Sequence, residues 1–294
     1  MGAARYTAEP VVGSGDGLGE SVVWDAERSE LSWVDIHAAR LQRWGSETGL
    51  ITATLPERIG AIGLRAGGGH VAAFASGFAL LGEDGEIERR IAEVEPELPT
   101  TRLNDGRVDR QGRFVCGGMD EAADQRAVSA VYRLDADGAV VRILDGIACA
   151  NSIAFSPDGT RMYFTDMPTG RIVAYAYDID EGVPHDPVLI SDGTEYPGLP
   201  DGSTVDADGC LWNARWGSGA VVRFTPDGAL DAIVEVAVGN PTCPAFGGPD
   251  LSTLFITTAR FGRTDTQLAG EPRAGDVFTV DVAASGIAEP RFLG

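Results

Sequence analysis

A unit made of an apolar strand, a tight turn and a second apolar strand recurs six times along the chain, and such a repeat dictates architecture before any single residue does. The copies read ESVVWDAERSELSWVDI from Glu20, GAIGLRAGGGHVAAFAS from Gly60, NDGRVDRQGRFVCGG from Asn104, NSIAFSPDGTRMYFTD from Asn151, DGSTVDADGCLWNARW from Asp201 and CPAFGGPDLSTLFITTA from Cys243. Their starts are separated by 40, 44, 47, 50 and 42 residues. Each copy runs on into a second alternating strand pair with a Gly-containing turn, such as RLQRWGSETGL, AVYRLDADGAV or DVFTVDVAASGI. Four strands per unit without helical periodicity predict an all-β fold, a six-bladed β-propeller with four antiparallel strands per blade, as one domain over residues 1–294. The N-terminal strand near Glu9 to Val12 is expected to complete the last blade beside Asp276 to Phe292, so that no sheet edge stays open. The D-G pairs, among them Asp158-Gly159 and Asp208-Gly209, are turns that need positive φ, and their aspartates are not site candidates.

Aligned by their turns, the copies place Glu20, Gly60, Asn104, Asn151, Asp201 and Cys243 at one equivalent position, just before the strand that lines the axis of a propeller. N-D-G and P-D-G are good turn sequences, so turn chemistry accounts for Asn104 and Asp201. It does not account for Glu20. Oxygen-bearing side chains at equivalent positions would converge on the axis, and two carboxylates there repel unless a cation lies between them. Carboxylates and amides form a hard site suited to Ca²⁺, Mg²⁺ or Mn²⁺, with Zn²⁺ still open. Gly60 is consistent with an opening beside that site. Cys243 is read as a small core residue rather than a soft ligand.

Composition narrows the chemistry. The chain contains no lysine, which excludes a Schiff base, a lysine general base and a Walker-type phosphate loop. His37, His70 and His185 show no metalloprotease spacing, and no G-x-S-x-G elbow is present. A formal charge of −21 opposes nucleic acid and anionic membranes as partners. The four cysteines lie far apart and are expected to be reduced, and the absence of a leader-like N-terminus or a long apolar run predicts a cytoplasmic protein. A closed propeller needs no partner chain, so a monomer or weak oligomer is expected.

LGESVVWD with WVDI, TRLNDGRVDRQGRFVCGGM, CANSIAFSPDGTRMYFTD, LPDGSTVDADGCLWNARWG and CPAFGGPDLSTLFITTAR together resemble the SMP-30/gluconolactonase/regucalcin-like propellers, which are metal-dependent lactonases of sugar acids. The resemblance covers nearly the whole chain. It implies Glu20, Asn151 and Asp201 as direct ligands of one divalent cation, which agrees with the repeat argument for oxygen-bearing side chains on the axis. It implies that Arg102 and Asn104 grip the sugar, with Asn104 close to the metal. Some members place a substrate-contacting glutamate after the G-x-M segment; here GGMDEAA offers Glu121, one place off a gapless alignment. Arg215 and Trp216 in NARWGSG are read as blade packing or as walls of the pocket.

The expected reaction is hydrolysis of a sugar lactone, with the cation polarising the carbonyl, Asp201 as general base, and Arg102 and Asn104 orienting the ring. Two other readings fit the same residues: a phosphotriesterase-like hydrolase, and a propeller whose cation only staples the channel.

Overall fold

The computed structural model describes residues 2–294. Two short strands, β1 (Ala4–Thr7) and β2 (Glu9–Val12), precede six sheets. Blade one is β3 (Gly19–Asp25), β4 (Glu30–Asp35), β5 (Arg40–Gly45) and β6 (Gly49–Thr54). Blade two is β7 (Ile59–Leu64), β8 (His70–Phe74), β9 (Gly77–Leu81) and β10 (Ile87–Glu93). Blade three is β11 (Thr101–Val108), β12 (Phe114–Asp120), β13 (Ser129–Leu134) and β14 (Val140–Ile147). Blade four is β15 (Ala150–Phe155), β16 (Arg161–Asp166), β17 (Ile172–Asp178) and β18 (Val183–Ser191). Blade five is β19 (Leu199–Val205), β20 (Leu211–Trp216), β21 (Ala220–Phe224) and β22 (Leu230–Glu235). Blade six takes β23 (Pro241–Gly247), β24 (Thr253–Thr258) and β25 (Val277–Asp281), with the helix α1 (Asp265–Gly270) between the last two.

The first strands contact one another in a ring that closes between β23 and β3. Closure is made by β2, which pairs antiparallel with β25 through Glu9↔Thr279, Pro10↔Phe278 and Val12↔Val277, as expected for Glu9 to Val12. The expectation was too long at the other end. The partner strand stops at Asp281, and VAASGI forms no further strand, because β2 already occupies the free edge of β25. One element was not foreseen: β1 lies parallel to β22 and gives blade five a fifth strand.

Residues 285–294 cross the end of the ring where the first strands finish. Ala207 N donates to Ser285 O at 2.8 Å, Gly286 N to Leu251 O at 2.7 Å, Phe292 N to Leu64 O at 2.8 Å and Leu293 N to Gly112 O at 3.1 Å. Glu289 pairs with the buried Arg107 at 3.2 Å, and Arg291 with Asp25 at 2.7 Å. This segment ties blades five, six, two, three and one together.

Alternation along each strand buries one face against each neighbouring blade, giving six apolar clusters, one per blade interface. Trp33 and Phe255 fill the seam between blades one and six, and Trp212 and Phe246 that between five and six. The D-G turns have the positive φ they require, 74° at Gly159 and 81° at Gly209. All six first strands also break register against their partner strand at the same level, between Glu20/Val23, Ile59/Ala61, Leu103/Gly106, Asn151/Ala154, Pro200/Ser203 and Pro241/Pro244. A bulge turns a side chain that would lie against a sheet face toward the channel.

Candidate metal and active site

The bulges carry the polar residues. Glu20 and Asn151 are each followed by a serine with left-handed backbone, Ser21 at φ 52° and Ser152 at φ 60°. Each serine hydroxyl ties its bulge to the next blade: Ser21 Oγ accepts from Ile62 N at 2.9 Å, and Ser152 Oγ donates to Asp201 O at 2.6 Å. Asn213 Nδ2 also donates to Asp201 O at 3.0 Å, so the backbone beneath that carboxylate is held from two blades. Asn104 and Asp201 stand within β11 and β19 rather than in turns, which corrects the turn reading of N-D-G and P-D-G.

Glu20, Arg102, Asn104, Asn151 and Asp201 line one cavity of about 210 Å³, together with Gln125. Its wall is apolar: Leu18, Met119, Met167, Trp216 and Phe261. A hollow of about 390 Å³ beside Val188 and Leu189 has only Arg161, Asp186 and Asp227 as charged groups, and the charged cluster of Asp25, Glu30, Arg43, His70 and Glu83 encloses only about 10 Å³. The axial cavity is the candidate site because chemically competent groups converge there.

Glu20 and Asp201 line the cavity, and a third acid, Asp105, lies behind them, near enough to repel both. Burial, then repulsion from Asp201 and Asp105, pushes the Glu20 carboxyl well above the usual range. Burial and then Asp105 do the same to Asp201. Asp105, held by a 2.8 Å bond from Ile153 N, is pushed up by burial to about 6. None of the three forms an ion pair among the described residues, and the side chains of Glu20 and Asp201 accept no side-chain hydrogen bond. No three His, Cys, Asp or Glu side chains among the described residues suffice alone to enclose an ion. Besides these acids the cavity offers amide oxygen, from Asn104 and Asn151.

That oxygen is arranged by Arg102, which is 5% exposed. Its Nη1 donates to Asn104 Oδ1 at 2.7 Å and Leu103 O at 3.0 Å, and its Nε to Glu121 Oε1 at 3.0 Å. Arginine only donates, so the Asn104 oxygen must face it. Asn104 Nδ2 then points to Ala150 O at 2.9 Å and Asn151 Oδ1 at 3.4 Å. Glu121 stands behind Arg102 rather than in the cavity wall, and is also gripped by Arg58 at 2.6 and 2.7 Å. Burial pushes its carboxyl up, but Arg58 and Arg102 more than reverse this and leave it below its usual range.

Trp216 lines the cavity, whereas Arg215 is buried behind it and donates to the carbonyls of Tyr196 and Gly198 at 2.9 and 2.8 Å. All four cysteines are free and buried, and Cys243 packs in the seam between blades six and one. Gly60 makes no opening; its Cα lies against the backbone of Leu103 and Asn104. The sequence reading missed Asp105, hidden inside a turn-like tripeptide, and the wall residues Met119, Met167 and Phe261. Met119 lies near the end of β12, and Met167 and Phe261 just beyond the ends of β16 and β24, where the repeat carries no shared residue type.

Residues 18–260 match the SMP-30/Gluconolactonase/LRE-like region. The chain is 41% identical over 281 residues to an L-arabinolactonase from Azospirillum brasilense, covering 94% of this chain and 92% of that protein. It is 38% identical over 280 residues to a 6-deoxy-6-sulfogluconolactonase from Pseudomonas putida, covering 94% and 95%. The crystal structure of regucalcin from Agrobacterium tumefaciens, a calcium-binding protein, superposes with a TM-score of 0.92 at 31% identity over 99% of each chain.

Proposed function

The chain belongs to the SMP-30/gluconolactonase/LRE-like family, and from that premise we propose that it is a hydrolase of sugar lactones, working with one divalent cation held by Glu20, Asn151 and Asp201. The observation that carries this reading is the convergence of two unpaired carboxylates, a buried arginine and two interlocked asparagines in one small open cavity. The donor set fits a hard cation: desolvated carboxylates that repel one another, beside an asparagine oxygen fixed by its neighbours. Bound there, a divalent cation supplies Lewis-acid polarisation of the lactone carbonyl.

The chain's own residues do the rest. Asp201 takes a proton from the attacking water as the new C–O bond forms, and returns it to the ring oxygen as the acyl C–O bond breaks. Arg102 uses three of its five N–H groups on the protein, and Nη2, with no protein partner among the described residues, is left to hold substrate oxygen. Asn104 fixes Asn151 and borders the ring. Glu121 acts here through Arg102. The apolar wall takes the C–H face of the substrate and limits water at the reacting centre.

The test is hydrolysis of an aldonolactone panel by pH-indicator assay, using chelator-stripped protein with and without Ca²⁺, Mg²⁺, Mn²⁺ and Zn²⁺. Turnover restored by a cation on at least one lactone is the expected result. Tight cation binding without turnover of any lactone would overturn the reading in favour of a cation-stapled scaffold.

A further inference from the structure

We propose that Arg58 is a positioning residue of the active site, which aims the substrate-binding guanidinium of Arg102 by clamping the carboxylate between them. The inference rests on the lactonase reading for its kinetic consequence, but its geometry stands apart from it. Arg58 lies just before β7, in the connection between blades one and two, outside the cavity wall. Its Nη1 and Nη2 donate to Glu121 Oε1 and Oε2 at 2.7 and 2.6 Å, a fork on both carboxylate oxygens. Glu121 follows β12 of blade three, so the pair spans two blades at the rim.

Arg102 Nε donates to the same Oε1 at 3.0 Å. A contact at Nε fixes the plane of a guanidinium, and with Nη1 occupied by Asn104 and Leu103 the remaining Nη2 has one direction left, into the cavity. Without the fork, the Glu121 carboxylate, whose side chain is 34% exposed, is free to rotate toward solvent. Arg102 then loses the contact that sets its plane. From Arg102 the same hydrogen-bond chain passes through Asn104 to Asn151. A lysine at position 58 could supply charge but not the two-point grip.

An exposed ion pair of this kind contributes little to stability, which separates positioning from structural support. The experiment uses the full Ca²⁺-loaded chain as Arg58→Met and Arg58→Lys, with four readouts: steady-state kinetics on the aldonolactone panel, calcium affinity by calorimetry, thermal midpoint, and the ¹⁵N-resolved Nε–H resonance of Arg102. Expected for Arg58→Met are a KM raised on the order of ten-fold with kcat within about two-fold, unchanged calcium affinity and midpoint, and a shifted Arg102 resonance. Arg58→Lys recovers part of the loss. A wild-type KM with an unshifted resonance overturns the proposal, as does a joint fall of kcat, calcium affinity and midpoint. If the wild type hydrolyses no lactone, the lactonase reading fails by itself and the resonance alone decides: displaced in Arg58→Met it supports the clamp, unmoved it overturns it.

Discussion

Gly60 has space for a hydrogen and nothing larger, since a Cβ there would stand 2.5 Å from the carbonyl oxygens of both Leu103 and Asn104. Those atoms are backbone and cannot swing aside. Gly60→Ala is therefore expected to displace β11 where it carries Arg102 and Asn104, destabilising the fold by about 1–3 kcal/mol in denaturant titration and lowering turnover as well. Substitutions at the site itself should divide by role. Asp201→Ala removes a cation donor and the base together, so both bound metal and kcat fall, while Arg102→Ala raises KM and leaves the metal in place; metal content and kinetics measured on the same samples check both. Glu20 could be brought to the cavity from sequence because six aligned copies leave a glutamate where turn chemistry offers it no work, and Asn151 because it holds the equivalent place in the alignment. Asp105 could not, because N-D-G reads as a turn and only the bulge in β11 shows that its carboxylate is buried against Ile153.

At the level of elements, the alternating strands and their D-G turns were legible because period-two burial and positive φ are local properties. The two ends of the chain were less so. The pairing of β2 with β25 follows from the need to close a ring, but β1 on β22 and the strap formed by 285–294 depend on distant partners that no local pattern encodes. The strap is anchored by Phe292, 1% exposed in the seam of blades two and three, and by Glu289 against buried Arg107. Phe292→Ala should destabilise by about 3–5 kcal/mol through the cavity it leaves. Glu289→Ala should cost about 3 kcal/mol, because Arg107 would keep only Thr204 Oγ1 at 3.1 Å and Val22 O at 3.4 Å as acceptors among the described residues. Both are read from urea or guanidinium midpoints at constant slope. The same substitutions in a strap that simply lay on the surface would cost far less, so an effect below about 0.5 kcal/mol in both variants would show that it is not a structural tie.

On the scale of the whole molecule, the three proposed cation donors come from blades one, four and five, so an ion between them links parts of the ring that are not all sequence neighbours. Ion binding should then stabilise the chain against global unfolding, by about 2.7 kcal/mol when calcium stands at one hundred times its dissociation constant, and raise the thermal midpoint accordingly. The effect must depend on pH. Glu20, Asp105 and Asp201 all have folded-state pKa values above their ordinary ones, Asp105 at about 6, so without a cation the stability these groups contribute is present below pH ~4 and lost as pH rises through the folded values. A cation favours the ionised form and must displace those protons to bind. Calcium should therefore raise the midpoint more at pH 7.5 than at pH 5. His70, buried with both ring nitrogens unpartnered among the described residues and pulled down by burial to about 4, destabilises the fold as pH falls below its unfolded value of about 6.5. That contribution is common to the calcium-loaded and calcium-free protein and cancels in the difference between them. Differential scanning calorimetry with and without calcium at the two pH values makes the measurement, and a calcium increment equal at both would mean that the ion does not bind among these carboxylates.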